Sequence, residues 1–143
     1  MTADQNVALA KRWFDEVWNQ RRTDTVYELM HPAGIGVGQD LPGVTITSHQ
    51  DFLDLHKRMM DAFPDLKITA DDIIGAGDKV VVRWSAVATH AGDSLGVPGT
   101  NRTVRFNGIS IQQYENGKLI RGWDNWDQLG LQQQLAAEKT ASA

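Results

Sequence analysis

Asp127 is the carboxylate of this chain best surrounded for proton transfer. It stands beside Trp126 and four residues beyond Trp123, where the segment Tyr114 to Leu135 passes from strand to helix. Aromatic neighbours exclude water, and a desolvated carboxyl titrates higher, toward the range that a general acid or base needs near neutral pH. Asn116-Gly117 pairs two residues that tolerate positive φ, so a tight turn precedes this strand. Strict alternation after the turn places Leu119, Arg121, Trp123, Asn125 and Asp127 on one face. Lys118, Ile120, Gly122, Asp124 and Trp126 take the other, with Asp124 toward solvent. Asp is also a common helix N-cap, and position alone leaves Asp127 both roles.

Other side chains fit a binding site around it. Trp84 and Trp123 are the expected walls of a pocket for a flat aromatic ligand. Gln113 and Asn107 share a strand face with Ile109 and Ile111; if that face looks inward, they are amides for a substrate carbonyl or enolate, and otherwise they meet solvent or a partner subunit. His90 ends the strand that carries Trp84 and is placed either to donate to a ligand or to hold a loop. Arg83 pairs with a carboxylate in the site or lies outside it. The four histidines, at 31, 49, 56 and 90, are not spaced for a metal: His49 and His56 lie two helical turns apart, about 10 Å.

Period changes along the chain mark the elements that must position these groups. Asp4 to Gln20 carries one apolar stripe at helical spacing, and Thr23 to Met30 reads as a short helix ended by Pro32. Gly34 to Pro42 is an edge strand or a loop. Ser48 to Phe63 is the clearest helix, with Ser48 as cap and Pro64 as stop. From Leu66 the period falls to two, giving strands over 66–74, 79–90, 103–114 and 118–126. Helices first and antiparallel strands after predict one α+β domain over 1–143, with a frayed tail from about Glu138. The expected architecture is a cone: three N-terminal helices packed on a bent, mainly antiparallel sheet, with a ligand cavity between the layers. A sheet covered on one side only leaves its outer face for a second copy, so a homodimer is expected.

Composition narrows the function. A net charge of −4 argues against nucleic acid or an anionic membrane surface as partner. With no cysteine there is no disulfide, thiolate nucleophile or thiolate metal site. No basic and apolar leader opens the sequence and no apolar run approaches about 20 residues, so a cytoplasmic location is expected.

Several phrases, in order, carry a resemblance. They are Ala62-Phe63-Pro64-Asp65-Leu66, Gly77-Asp78, Thr89-His90-Ala91-Gly92, Leu95-Gly96-Val97-Pro98, Gly108-Ile109-Ser110-Ile111, Glu115-Asn116-Gly117-Lys118, Trp123 with Asp127, and Gly130-Leu131 before Gln133-Gln134-Leu135. Together they resemble the SnoaL-like polyketide cyclases, within the nuclear-transport-factor-2-like superfamily. The resemblance implies an α+β cone around a pocket for a small apolar or aromatic substrate. It implies ring closure of a polyketide by intramolecular aldol condensation without metal or organic cofactor. It maps the family's acid/base Asp onto Asp127 and favours that role over the cap. A partner histidine of the preceding strand falls on Gln113, and a glutamate common two residues before the Trp is Arg121 here. An epoxide hydrolase or ketosteroid-isomerase-like enzyme of the same fold, or a non-catalytic ligand-binding module, are the competing expectations.

Overall fold

The computed structural model describes residues 1–40 and 45–136. The tail expected from Glu138, and Pro42 at the end of the Gly-rich stretch, lie outside them. Helix α1 (Ala3–Arg12) starts at a capping box: Thr2 Oγ1 accepts from Gln5 N at 3.1 Å, and Gln5 Oε1 accepts from Thr2 N at 2.8 Å. It runs on into π-helical turns over Trp13–Asn19, which carry Trp13, Phe14 and Val17 into the core. Helix α2 spans Thr23–Leu29 and α3 spans His49–Ala62, the latter capped by Ser48 Oγ on Asp51 N at 3.1 Å.

The strands are β1 (Met30–Val37), β2 (Thr45–Ile46), β3 (Lys67–Ala76), β4 (Lys79–Thr89), β5 (Thr103–Glu115) and β6 (Lys118–Trp126), followed by helix α4 (Gln128–Ala136). They form one open sheet in the order β2-β1-β6-β5-β4-β3. Every pairing is antiparallel except β1 with β6, so the sheet is mixed and does not close into a barrel. This is the α+β layout expected. Its inner face meets the helices through Trp84, Phe106, Val80, Val82 and Leu119 on one side and Trp13, Phe14, Phe52 and Leu55 on the other.

Two details differ from the sequence reading. Pro32 does not end α2; the chain turns extended at Met30, and Pro32 sits inside β1. There the ladder to β6 jumps from Met30–Leu119 to Ile35–Arg121, so the proline falls in an irregularity where no ladder donor is demanded of it. Nor is β1 an edge strand, since β2 covers it. The second detail is on β6: Tyr114 pairs with Leu119 and Gln113 with Arg121, which leaves Ile120 as an extra residue. A residue inserted in this way shifts the alternation of everything after it.

Candidate active site

The shift at Ile120 decides which carboxylate reaches the interior. Leu119 is buried, and beyond the extra residue Gly122, Asp124 and Trp126 line the inner cavity. Trp123 and Asn125 take the outer face; the Arg121 guanidinium stacks over the Trp123 ring at 5.8 Å. The expected phase is thereby inverted. Asp127 lies past the end of β6, exposed, and its Oδ1 accepts from Gly130 N at 2.8 Å as the N-cap of α4. It does not line the cavity, and Asp124, read as solvated, does.

The cavity, of about 100 Å³, lies between two aromatic groups. On the sheet side Trp84, Phe106 and Trp126 stand with ring centroids 5.5 to 6.4 Å apart. On the helix side Phe52 packs 5.0 Å from Trp13 and 5.8 Å from Trp18. Gly108 makes the first group possible: a Cβ there would lie 2.5 Å from Trp126 Cβ and 2.7 Å from Trp84 Cζ2. Gly38 makes a second close approach, with φ +86° and its Cα against the Asp124 carbonyl, where a Cβ would fall 2.0 Å from that oxygen. It brings Gln39 to the cavity, where Gln39 Nε2 donates to Gly122 O at 3.2 Å, and its own carbonyl accepts from Trp126 Nε1 at 3.1 Å.

Asp124 and Arg121 are the ionisable residues among the described lining, and the Arg121 guanidinium is turned away onto Trp123 on the outer face. The surface Asp124 keeps opens onto the cavity. Burial among apolar groups pushes its carboxyl up to about 6, while Ser110 and Gln39, near enough to favour the charged form, hold it back. Ser110 faces Asp124 directly across the β5–β6 pair, and Ser110 Oγ accepts from Trp84 Nε1 at 3.0 Å. Ser110 and Asp124 keep the separation in sequence that was expected of Gln113 and Asp127. A carboxyl poised near neutrality among aromatic rings is suited to proton abstraction from carbon.

Of the other expected site residues, Trp84 lines the cavity. Gln113 and Asn107 do not: the inward face of β5 is Phe106, Gly108, Ser110, Gln112 and Tyr114. Gln113 instead donates to Asp78 at 2.8 Å on the outer side. His90 is fully buried, packed 5.7 Å from Phe63, and its Nδ1 accepts from Thr100 N at 3.2 Å; it pins the loop between β4 and β5. Arg83 lies outside with Asp72, at 2.8 Å. His56, whose ring nitrogen meets Val17 O at 2.8 Å, titrates below the usual histidine range because it is buried. Among the described residues no three His, Cys, Asp or Glu converge closely enough to hold a metal ion, and no helix is long and apolar enough to cross a membrane. Sequence reasoning missed Asp124, Ser110, Gln112 and Gln39; the one signal for the first was Asp directly after Trp123.

A mixed sheet folded over helices is the fold shared with the nuclear-transport-factor-2-like cyclases. The profile of the SnoaL-like polyketide cyclase family matches residues 8–135, and the chain belongs to that family. Among solved structures it is similar to a candidate SnoaL-like polyketide cyclase from Jannaschia sp. CCS1 (23% identity, 94% of each chain, TM-score 0.86). It is also similar to IdmH from Streptomyces antibioticus, a candidate polyketide cyclase (25% identity, 93% of this chain and 99% of that one, TM-score 0.79). AclR from Streptomyces galilaeus, a candidate hydroxylase, matches at 24% identity over 94% of this chain and 82% of its own, with TM-score 0.82. Among proteins of curated function none matches.

Proposed function

We propose that the protein closes a ring in a polyketide-like substrate by intramolecular aldol chemistry, with Asp124 as acid and base. The observation that carries this reading is a lone carboxylate, raised to about 6, inside an aromatic-walled cavity. Asp124 takes a proton from a carbon next to a carbonyl, and the C–H pair becomes the new C=C of an enolate. The enolate carbon then attacks a second carbonyl carbon of the same molecule, and the oxygen left negative takes the proton back from Asp124. Product and substrate are isomers, so the reaction balances on this chain's own groups. Confinement supplies most of the advantage, because holding both ends of one flexible molecule together replaces a large entropic barrier. Membership in the family supports the substrate class. An epoxide hydrolase of the limonene type needs two acids bridged by an arginine, whereas Asp124 is the one acid in the described lining and Arg83 is engaged outside.

The test is ring closure of an aryl poly-β-ketone followed by absorbance. Asp124→Asn should slow it by about 10²–10⁴-fold, and Asp127→Asn should leave it near the parent rate, since Asn caps a helix nearly as well. In the parent, the rate should fall as pH drops through about 6, where Asp124 takes up its proton. Equal turnover by Asp124→Asn and the parent would return Asp124 to a structural role and leave the cavity as a binding module.

We also propose that two copies join through the outer sheet face. A continuous row, Val37–Trp123–Ile111–Val81–Ile74, crosses five strands on that side, with exposed Ile109 one step along. So long an apolar strip on a sheet surface favours a partner.

A further inference from the structure

Tyr114 and Gln112 stand two residues apart on the inward face of β5, 2% and 5% exposed, with Tyr114 Oη 2.7 Å from Gln112 Oε1. Either group could be the donor by distance alone, because an amide can be turned end for end. If the amide donated, the phenol proton would be left without an acceptor in the core, a penalty of about 1–3 kcal/mol. Burial also pushes the Tyr114 hydroxyl well above the usual phenol range, so its proton stays in place. Tyr114 therefore donates, the Gln112 oxygen is occupied, and Nε2 turns the other way. Among the described residues nothing accepts from that nitrogen, and it is not one of the atoms sealed from solvent without a partner. Gln112 lines the same cavity as Asp124.

The neighbouring register shows what borders that space: over Gly122 stands Gln39 Nε2, 3.5 Å from where a Cβ would be and donating to Gly122 O at 3.2 Å. Gly122, which has no side chain, lies directly across from Gln112 on β6, and Asp124 is the next inward residue, opposite Ser110. Gln112 and Asp124 are thus diagonal neighbours, with α-carbons roughly 7–8 Å apart. Such a diagonal pair puts a carboxylate and an amide on one wall of the same cavity.

We infer that Gln112, turned by Tyr114, is the donor that holds the substrate carbonyl and takes its charge as the enolate forms. The inference rests on Asp124 as the proton acceptor and sharpens the substrate class. The ligand is a ketone or ester whose acidic C–H sits on the carbon adjoining the carbonyl, with that carbonyl oxygen free to accept. As Asp124 removes the proton, the C–H pair forms C=C and the C=O pair moves onto oxygen, where the Gln112 N–H groups meet it. Gln112 touches the reacting oxygen; Tyr114 is a positioning residue.

The test reads binding, in Asp124→Asn protein, where Asn stands in for the protonated acid. The probe is 4-nitrophenolate, a one-ring oxyanion whose absorbance reports its charge, and nitrobenzene is its match without the oxygen. Gln112→Met should weaken 4-nitrophenolate by about 10- to 100-fold, as expected for a hydrogen bond to a charged group, and leave nitrobenzene within roughly threefold. Tyr114→Phe, which keeps the ring packing, should give a smaller loss for 4-nitrophenolate alone, because the amide is freed to turn; circular dichroism checks that each variant folds. The inference is overturned if Gln112→Met and Tyr114→Phe bind 4-nitrophenolate as tightly as the parent, if both probes weaken together, or if Asp124→Asn protein binds neither. Because Asp124 is already replaced, its failure in turnover would not alter these outcomes, and theirs would not alter the turnover test.

Discussion

The two sides of the β5–β6 pair reverse the usual division between core and surface. Inside, Ser110, Gln112, Gly122 and Asp124 stand among aromatic rings. Outside, Ile109, Ile111 and Trp123 lie among Arg121, Asn107 and Gln113. A strand that lines a cavity with polar groups and glycines gives them its inward positions, and its apolar residues then collect on the other side. Polarity alternation read from sequence therefore points the wrong way at such a strand. An exposed apolar strip of this kind is where a partner would bind, so the proposed dimer would tie the composition of the chamber to association of two chains.

That contrast can be broken from either side. The largest effect is expected outside. Ile111→Asp with Trp123→Asp should raise the dimer dissociation constant by about a thousandfold, since removing central apolar anchors costs several kcal/mol, while the chamber keeps its ligands. Light scattering at micromolar concentration should then move from about twice 15.9 kDa to 15.9 kDa; a parent already at the lower mass would sink the dimer. A smaller effect is expected inside. Gly108→Ala must force Trp84 and Trp126 apart, and overpacking of that kind costs about 2–3 kcal/mol in urea unfolding. An unchanged midpoint would show that the rings move freely.

The smallest effect has the opposite sign. Asp124 has a folded pKa raised to about 6 by burial, so the folded state holds its proton more tightly than the unfolded chain. Its favourable contribution is complete below the ordinary carboxyl value and is lost as pH rises through about 6. At pH 8 the charged group is a burden, and Asp124→Asn should stabilise the protein by about 1–2 kcal/mol there, discounted because the residue is partly exposed. The gain should vanish near pH 4. An equal gain at both pH values would mean that charge is not its source.

Much of this architecture could be read from residue order. The Ser48 cap, the Pro64 stop and the period change at Leu66 gave α3 and the four long strands within a few residues of their observed ends. The site could not be read so directly, and the reasons are local. Alternation carried forward from Leu119 predicts Trp123 and Asp127 inside, because nothing in the sequence announces that Ile120 is supernumerary. On β5, Ile109 and Ile111 made the wrong face look like core and drew Gln113 and Asn107 in with them. Pro32 read as a stop because its place in an irregular pairing depends on β6, which lies far away in sequence. In each case the deciding fact is a register between distant strands, which local pattern does not encode.

Ile120 also bears on how such proteins diverge. Because one extra residue sets which side of β6 everything downstream faces, the chemistry of the chamber depends on chain length as much as on residue identity. Loss of a single codon there would carry Asp124 to the exterior and bring Trp123 inward without altering any of the remaining letters. Within one fold, a relative could in this way exchange a chamber lined by a carboxylate for a plain apolar one through a deletion. Alignments that slide past a one-residue gap in this strand would then assign the acid to the wrong column.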